Sequence, residues 1–192
     1  LRGKSKGVGL LPKKSYGKPL FTTQMLVYGA LCIALAFALS SIRLFRMPQG
    51  GSITPASMLP LIAFALAYGP LPSAVVSLAY GLLNMLQDPW ILTPVQAILD
   101  YPLAYMGIAA CGLFAKASPK WNYLAGAVSA GLWRYTCHVL SGVVFFASYA
   151  PEGQAPLAYS IAYNSFVFVE IVICIAVLAI PLVQRTLGRI TA

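Results

Sequence analysis

The residues of this chain that could do chemistry are few, and they lie where they are most costly. Arg134 sits inside an apolar run from Tyr123 to Phe146. A cation at membrane depth costs roughly 2.5–3.5 kcal/mol on insertion scales, so it faces a bundle interior or a wet cavity. His138 follows four residues later, which stacks it on the same helical face, with Tyr135 on the neighbouring stripe. Asp100 and Tyr101 fall in a second apolar run, and Tyr159, Tyr163 and Asn164 in a third. A carboxylate can neutralise a cation or accept from an amino group. Imidazole and amide groups add directional hydrogen bonds. Rings such as Tyr80 and Phe146 offer faces that attract a fixed cation. Together these groups suit a small, flat, cationic heteroaromatic ligand. Structural alternatives stand beside this reading. Arg134 and Asp100 could simply pair, His138 could be a satisfied core histidine, Asn164 an interhelical hydrogen bonder, and Tyr80 and Phe146 packing residues. Glu170, deeper in the third run, lies outside the ligand set, either neutral and hydrogen-bonded or paired with Arg134.

The elements that must hold these residues follow from composition. Of 192 residues 59% are hydrophobic and 9% charged, and the mean hydropathy is +0.79. Soluble domains carry about 25% charged residues, so the chain is an integral membrane protein. Its apolar runs are unbroken rather than alternating, which excludes a transmembrane barrel and predicts an all-α helix bundle. The net charge is +9, and Arg2, Lys4, Lys6, Lys13, Lys14 and Lys18 crowd the first 20 residues. That tail lacks the interleaved aromatics of a nucleic-acid reader. It reads as a flexible cytoplasmic extension, a topology signal and a contact for anionic lipid. Cys32, Cys111, Cys137 and Cys174 lie in apolar runs without a CxxC, as buried thiols rather than metal ligands or disulfides.

Six spans are predicted, at about 22–42, 57–68, 73–86, 95–114, 123–146 and 157–183, so that residues 21–192 form one bundle. The second is too short to cross unless protein surrounds its ends. Ala30, Ala34 and Ala38 make a small-residue stripe on the first span, suited to close approach of another helix, inside the bundle or from a partner. The Pro- and Gly-rich segment 47–55 is either a lid or a connector. The tail, the loop after the fourth span and the C-terminal end carry ten of the thirteen Lys and Arg, against Arg43 and Arg46 opposite. The positive-inside rule therefore puts both termini in the cytoplasm. That orientation brings Asp100, His138, Tyr159 and Asn164 to one depth, in the outer half.

At these residues the sequence resembles the thiamine-specific substrate-binding S components of energy-coupling factor (ECF) transporters. The matching pieces are Met47-Pro48-Gln49-Gly50-Gly51-Ser52, Ser57-Met58-Leu59-Pro60, Leu99-Asp100-Tyr101-Pro102-Leu103-Ala104, Arg134-Tyr135 with His138 and Ser141-Gly142-Val143, Tyr149-Ala150-Pro151-Glu152-Gly153, and Tyr159 with Tyr163-Asn164. The resemblance implies a six-helix bundle in a bacterial cell membrane that binds thiamine from outside. It implies docking on a transmembrane coupling subunit served by two cytoplasmic ATPases. It places the ligand contacts at Asp100, Tyr101, Arg134, Tyr135, His138, Tyr159 and Asn164, the ring-stacking aromatics at Tyr80 and Phe146, and the partner contact at Ala30, Ala34 and Ala38. Tryptophans that the family pattern leads one to expect in the first loop, on the third helix and near the end of the fifth are absent: the loop offers Phe45, the other positions hold Tyr80 and Phe146, and Asp100 stands where a glutamate is expected.

No Walker A motif, HExxH or nucleophile elbow occurs in the sequence, so no cofactor is expected and ATP would be used by another chain. The rival of the same class is an S component for another vitamin or a thiamine precursor. The rival of another class is an intramembrane enzyme using Asp100, His138 and Glu170 as acid–base groups.

Overall fold

The computed structural model describes residues 21–87, 89–115 and 122–191, with side chains to 186. The basic tail, Asp88, Lys116 and Lys120 lie outside them. Thr22 opens the first helix, its hydroxyl accepting from the Met25 amide at 3.2 Å, and α1 runs Thr23–Ser41. Its buried face is Gly29, Ala36 and Ser40, turned to α2 (Leu59–Tyr68) and α3 (Pro70–Gln87). Gly29 permits this approach, because a Cβ there would stand 2.8 Å from Val76. Ala30, Ala34 and Ala38 all lie on the exposed side of α1, so the stripe does not serve internal packing.

Between α1 and α2 the chain is not a plain loop. Phe45–Arg46 pairs antiparallel with Ser52–Ile53, a two-residue ribbon that departs from the all-α expectation. Gly50 and Gly51 turn it with φ of 84° and 81°, which glycine adopts without a steric penalty. Helix α2 is buried on nearly every side: Leu61, Ile62 and Ala65 are fully inaccessible. Ten residues can sit at membrane depth because other helices surround them.

The next element, α4 (Pro94–Phe114), is a composite. It begins α-helical, widens into a π-helical turn over Leu99–Leu103, and narrows to a 3-10 stretch over Gly107–Phe114. Pro102 lies inside the wide turn; lacking an N–H, it cannot make the regular helical bond, and the chain expands around it. Gly81 of α3 accommodates this bulge, since a Cβ there would stand 2.8 Å from Pro102 Cα and 2.9 Å from the Tyr101 carbonyl oxygen. The fifth predicted span corresponds to helix α5 (Asn122–Phe145), whose buried face of Gly126, Ala127, Ala130, Gly131, Arg134, Cys137 and Ser141 follows helical periodicity.

The last predicted span is not one helix. It divides into α6 (Pro156–Tyr163) and α7 (Phe166–Leu178), and α8 (Pro181–Thr191) begins after a further break. Asn164 leaves helical geometry at φ −80°, ψ 0°. Its side chain bonds backward to the Ser160 carbonyl at 2.9 Å, sharing that acceptor with its own backbone N–H at 3.1 Å. Pro181 ends the continuity of the second half. By length and composition α1, α4 and the pair α6–α7 can each cross a membrane. Outward side chains such as Leu31, Leu35, Leu82, Leu140, Val144 and Val172 are exposed, as lipid-facing surfaces require.

Candidate functional site

A cavity of about 1020 Å³, counting its open mouth, lies between the ribbon segment and helices α3 to α7. Its inner wall is built from two linked polar clusters. In the first, Asp100 on the π-turn accepts from three donors. Ser141 Oγ and Gln96 Nε2 each reach Oδ2 at 2.6 Å, and His138 Nδ1 reaches Oδ1 at 3.0 Å. In the second, Glu170 is fully buried on α7. Arg134 Nη1 donates to its Oε2 at 2.6 Å, and the hydroxyls of Thr54 and Ser57 donate to Oε1 at 2.6 Å each. Arg134 therefore pairs with Glu170, and Asp100 pairs with His138. The Arg134–Asp100 pair envisaged as the structural alternative does not form. The guanidinium also lies over the Tyr105 ring, 4.8 Å from its centroid, a cation–π contact that adds to the pair. Arg134 Nε donates to His138 Nε2 at 3.3 Å and joins the two clusters.

The outer side is aromatic. Trp90, Tyr101, Phe146, Tyr149, Tyr159 and Tyr163 border the cavity. Tyr101 Oη accepts from the Trp90 amide at 2.8 Å, fastening the segment before α4. Tyr163 Oη accepts from the Gln49 amide at 2.8 Å and donates to the Gly50 carbonyl at 3.0 Å. Tyr159 Oη donates to Gln49 Oε1 at 3.2 Å. Segment 47–55 thus forms a wall of the cavity rather than a bare connector. Among the described lining residues the charged groups are Asp100, Arg43 and Arg134, and Arg134 is already paired with Glu170 behind the wall.

Seven of the nine expected ligand contacts border this space: Asp100, Tyr101, Arg134, His138, Phe146, Tyr159 and Asn164. Two do not. Tyr80 is fully buried behind the wall, edge-on to Tyr105 with ring centroids 4.7 Å apart. Tyr135 points toward α6 and α7, where its hydroxyl donates to the Ile161 carbonyl at 3.0 Å and its ring packs on Phe168. One residue along a helix is a rotation of about 100°, which carries Tyr135 off the face shared by Arg134 and His138. Residues that the sequence reading left out also line the cavity, notably Gln96, Ser141, Gln49, Trp90, Tyr105 and Phe166. Helical spacing could have found two of them. Gln96 lies one turn before Asp100, and Ser141 lies seven after Arg134.

A family model described as "Thiamine transporter protein (Thia_YuaJ)" matches residues 26–188. The chain belongs to this thiamine transporter family. Among its relatives, the thiamine transporter ThiT of Bacillus subtilis is 33% identical over 153 residues, covering 70% of this chain and 79% of that protein. ThiT of Lacticaseibacillus paracasei is 29% identical over 122 residues, 56% of this chain and 61% of that one. A solved structure of ThiT from Listeria monocytogenes superposes with a TM-score of 0.74 at 27% identity, covering 88% of this chain and 97% of its own. With its apolar helices, this member of the family is a multi-pass protein of a bacterial membrane.

Proposed function

We propose that this chain is the thiamine-capturing subunit of an ECF transporter, a binding protein rather than an enzyme, which takes the vitamin from outside the cell. The observation that carries the reading is the Asp100 carboxylate. It borders the cavity with three donors already on it, and a carboxylate has about four acceptor positions. The one that remains suits the amino group of thiamine's pyrimidine. The charge and the surrounding rings suit the cationic thiazolium. Membership of the thiamine transporter family supports the same ligand. Asp100, Tyr101, Arg134, His138, Phe146, Tyr159 and Asn164 form the contact set. Tyr80 supports it from behind through Tyr105, while Tyr135 packs on the exposed Phe168, away from the contact set.

The finer architecture belongs to the same proposal. Six membrane crossings are α1, α2, α3, α4, α5 and α6–α7 together, with both termini cytoplasmic and residues 1–20 a basic tail. The stripe Ala30, Ala34 and Ala38 meets the transmembrane coupling subunit, behind which two ATPases supply the energy.

Isothermal calorimetry on the detergent-purified protein tests the core of this. Thiamine binds with one site per chain, and Asp100→Ala or His138→Ala each weakens it by about tenfold or more, the loss expected for a charged hydrogen bond. Absence of thiamine binding by the wild type would end the proposal.

A further inference from the structure

We infer that Trp133 is a positioning residue for the site: from the exposed face of α5 its indole N–H holds the backbone of the π-turn that carries Asp100. The inference rests on the thiamine-binding reading above. A π-turn does not support itself. Its wider spacing, and here its proline, take backbone groups away from their regular helical partners. Helix α4 is long and apolar enough to cross a membrane, where no water takes up such groups and neighbouring side chains must. Just past this turn the Gly107 N–H, which a regular helix would direct to the Leu103 carbonyl, bonds instead to the Tyr105 carbonyl. The Leu103 carbonyl accepts from Trp133 Nε1 at 3.0 Å. The indole is 44% exposed and does not border the cavity, so it acts on the turn and not on the ligand.

Gly107 makes the approach possible. A Cβ at that position would overlap the Trp133 ring, so the indole lies directly against the backbone of α4. The π-turn is then tied to α5 on two sides. On the cavity side, His138 and Ser141 hold the Asp100 side chain at 3.0 and 2.6 Å. On the other side, Trp133 holds the main chain three residues later. Side-chain bonds fix a carboxylate only as well as its own backbone is fixed. Trp133 supplies that second restraint, and with it the direction in which the remaining acceptor position of Asp100 points.

Isosteric replacement separates the hydrogen bond from the packing. Trp133→3-benzothienylalanine, introduced by codon suppression, puts sulfur in place of the indole N–H and keeps the ring against Gly107. Trp133→Phe is the genetic counterpart. Calorimetry in detergent reads thiamine affinity for each replacement, alone and together with Asp100→Asn. We expect either replacement alone to weaken binding by about three- to tenfold, the worth of one neutral hydrogen bond. With Asp100→Asn present, the same replacement changes affinity by less than about twofold, because the charge it positions is gone. Equal losses in the two backgrounds would mean a general loosening of the bundle and would overturn the inference. So would a benzothienylalanine protein with wild-type affinity while the wild type binds thiamine. A wild type that binds no thiamine removes the ligand reading itself, and the inference falls with it.

Discussion

The site depends at residue scale on one carboxylate kept as an acceptor from three sides. Asp100→Asn keeps the shape and removes the charge. One amide face must then turn its N–H toward Ser141, Gln96 or His138, all placed to donate. We expect a loss of about 1.5–3 kcal/mol in thiamine affinity, the usual magnitude for a hydrogen bond to a charged group. Calorimetry measures it, and an unchanged affinity would remove Asp100 from the contact set. Much of this cluster was legible beforehand, because the four-residue spacing of Arg134 and His138 survives in the structure. Tyr135 and Tyr80 lie off the cavity for different reasons: Tyr135 is one residue, about 100° of helix, from the face of Arg134 and His138, and Tyr80 on α3 is covered by Tyr105. The partner of Arg134 was open until α7 was placed, since two acids stood within reach of the argument and only packing separates them.

At the scale of elements, the π-turn of α4 matters most. It presents Asp100, and its position is set by contact with Gly81 of α3. Gly81→Ala puts a methyl against backbone atoms that cannot rotate away, which in a packed core costs about 1–3 kcal/mol. We expect a lowered melting temperature in detergent, and weaker thiamine binding because the shift passes directly to Asp100. A variant with wild-type melting and wild-type affinity would show that the bulge is not held from α3. Hydropathy alone located the apolar runs, whose bounds agree with the helices to within a few residues. It could not reveal the bulge at Pro102 or the break at Asn164. Both sit at single hydrogen-bonding groups, a missing N–H and a side-chain amide that doubles up on a ladder carbonyl, to which an average over many residues is blind. The ribbon at Phe45–Ile53 was hidden in the same way, being two residues deep and made by glycine turns.

At the scale of the whole molecule, the outside of α1 is separate from the binding machinery. Its buried face holds α2 and α3, while Ala30, Ala34 and Ala38 look away from the protein. Leucines at all three positions add bulk on a surface that internal packing does not use. We expect purified Ala30→Leu/Ala34→Leu/Ala38→Leu protein to bind thiamine as the wild type does. Cells relying on it for uptake should accumulate little labelled thiamine, because close helix contact with the coupling subunit is lost. Normal uptake would place the docking surface elsewhere.

The phenol of Tyr163 carries a further implication. One hydroxyl receives the Gln49 N–H and gives its proton to the Gly50 carbonyl, so the rim of the cavity is stitched to the final membrane-spanning pair at one atom. The entrance cannot swing clear without surrendering both bonds together. We expect Tyr163→Phe to lose both at once and to shorten the dwell time of bound thiamine, measured as a faster dissociation rate, and an unchanged rate would place the hold elsewhere.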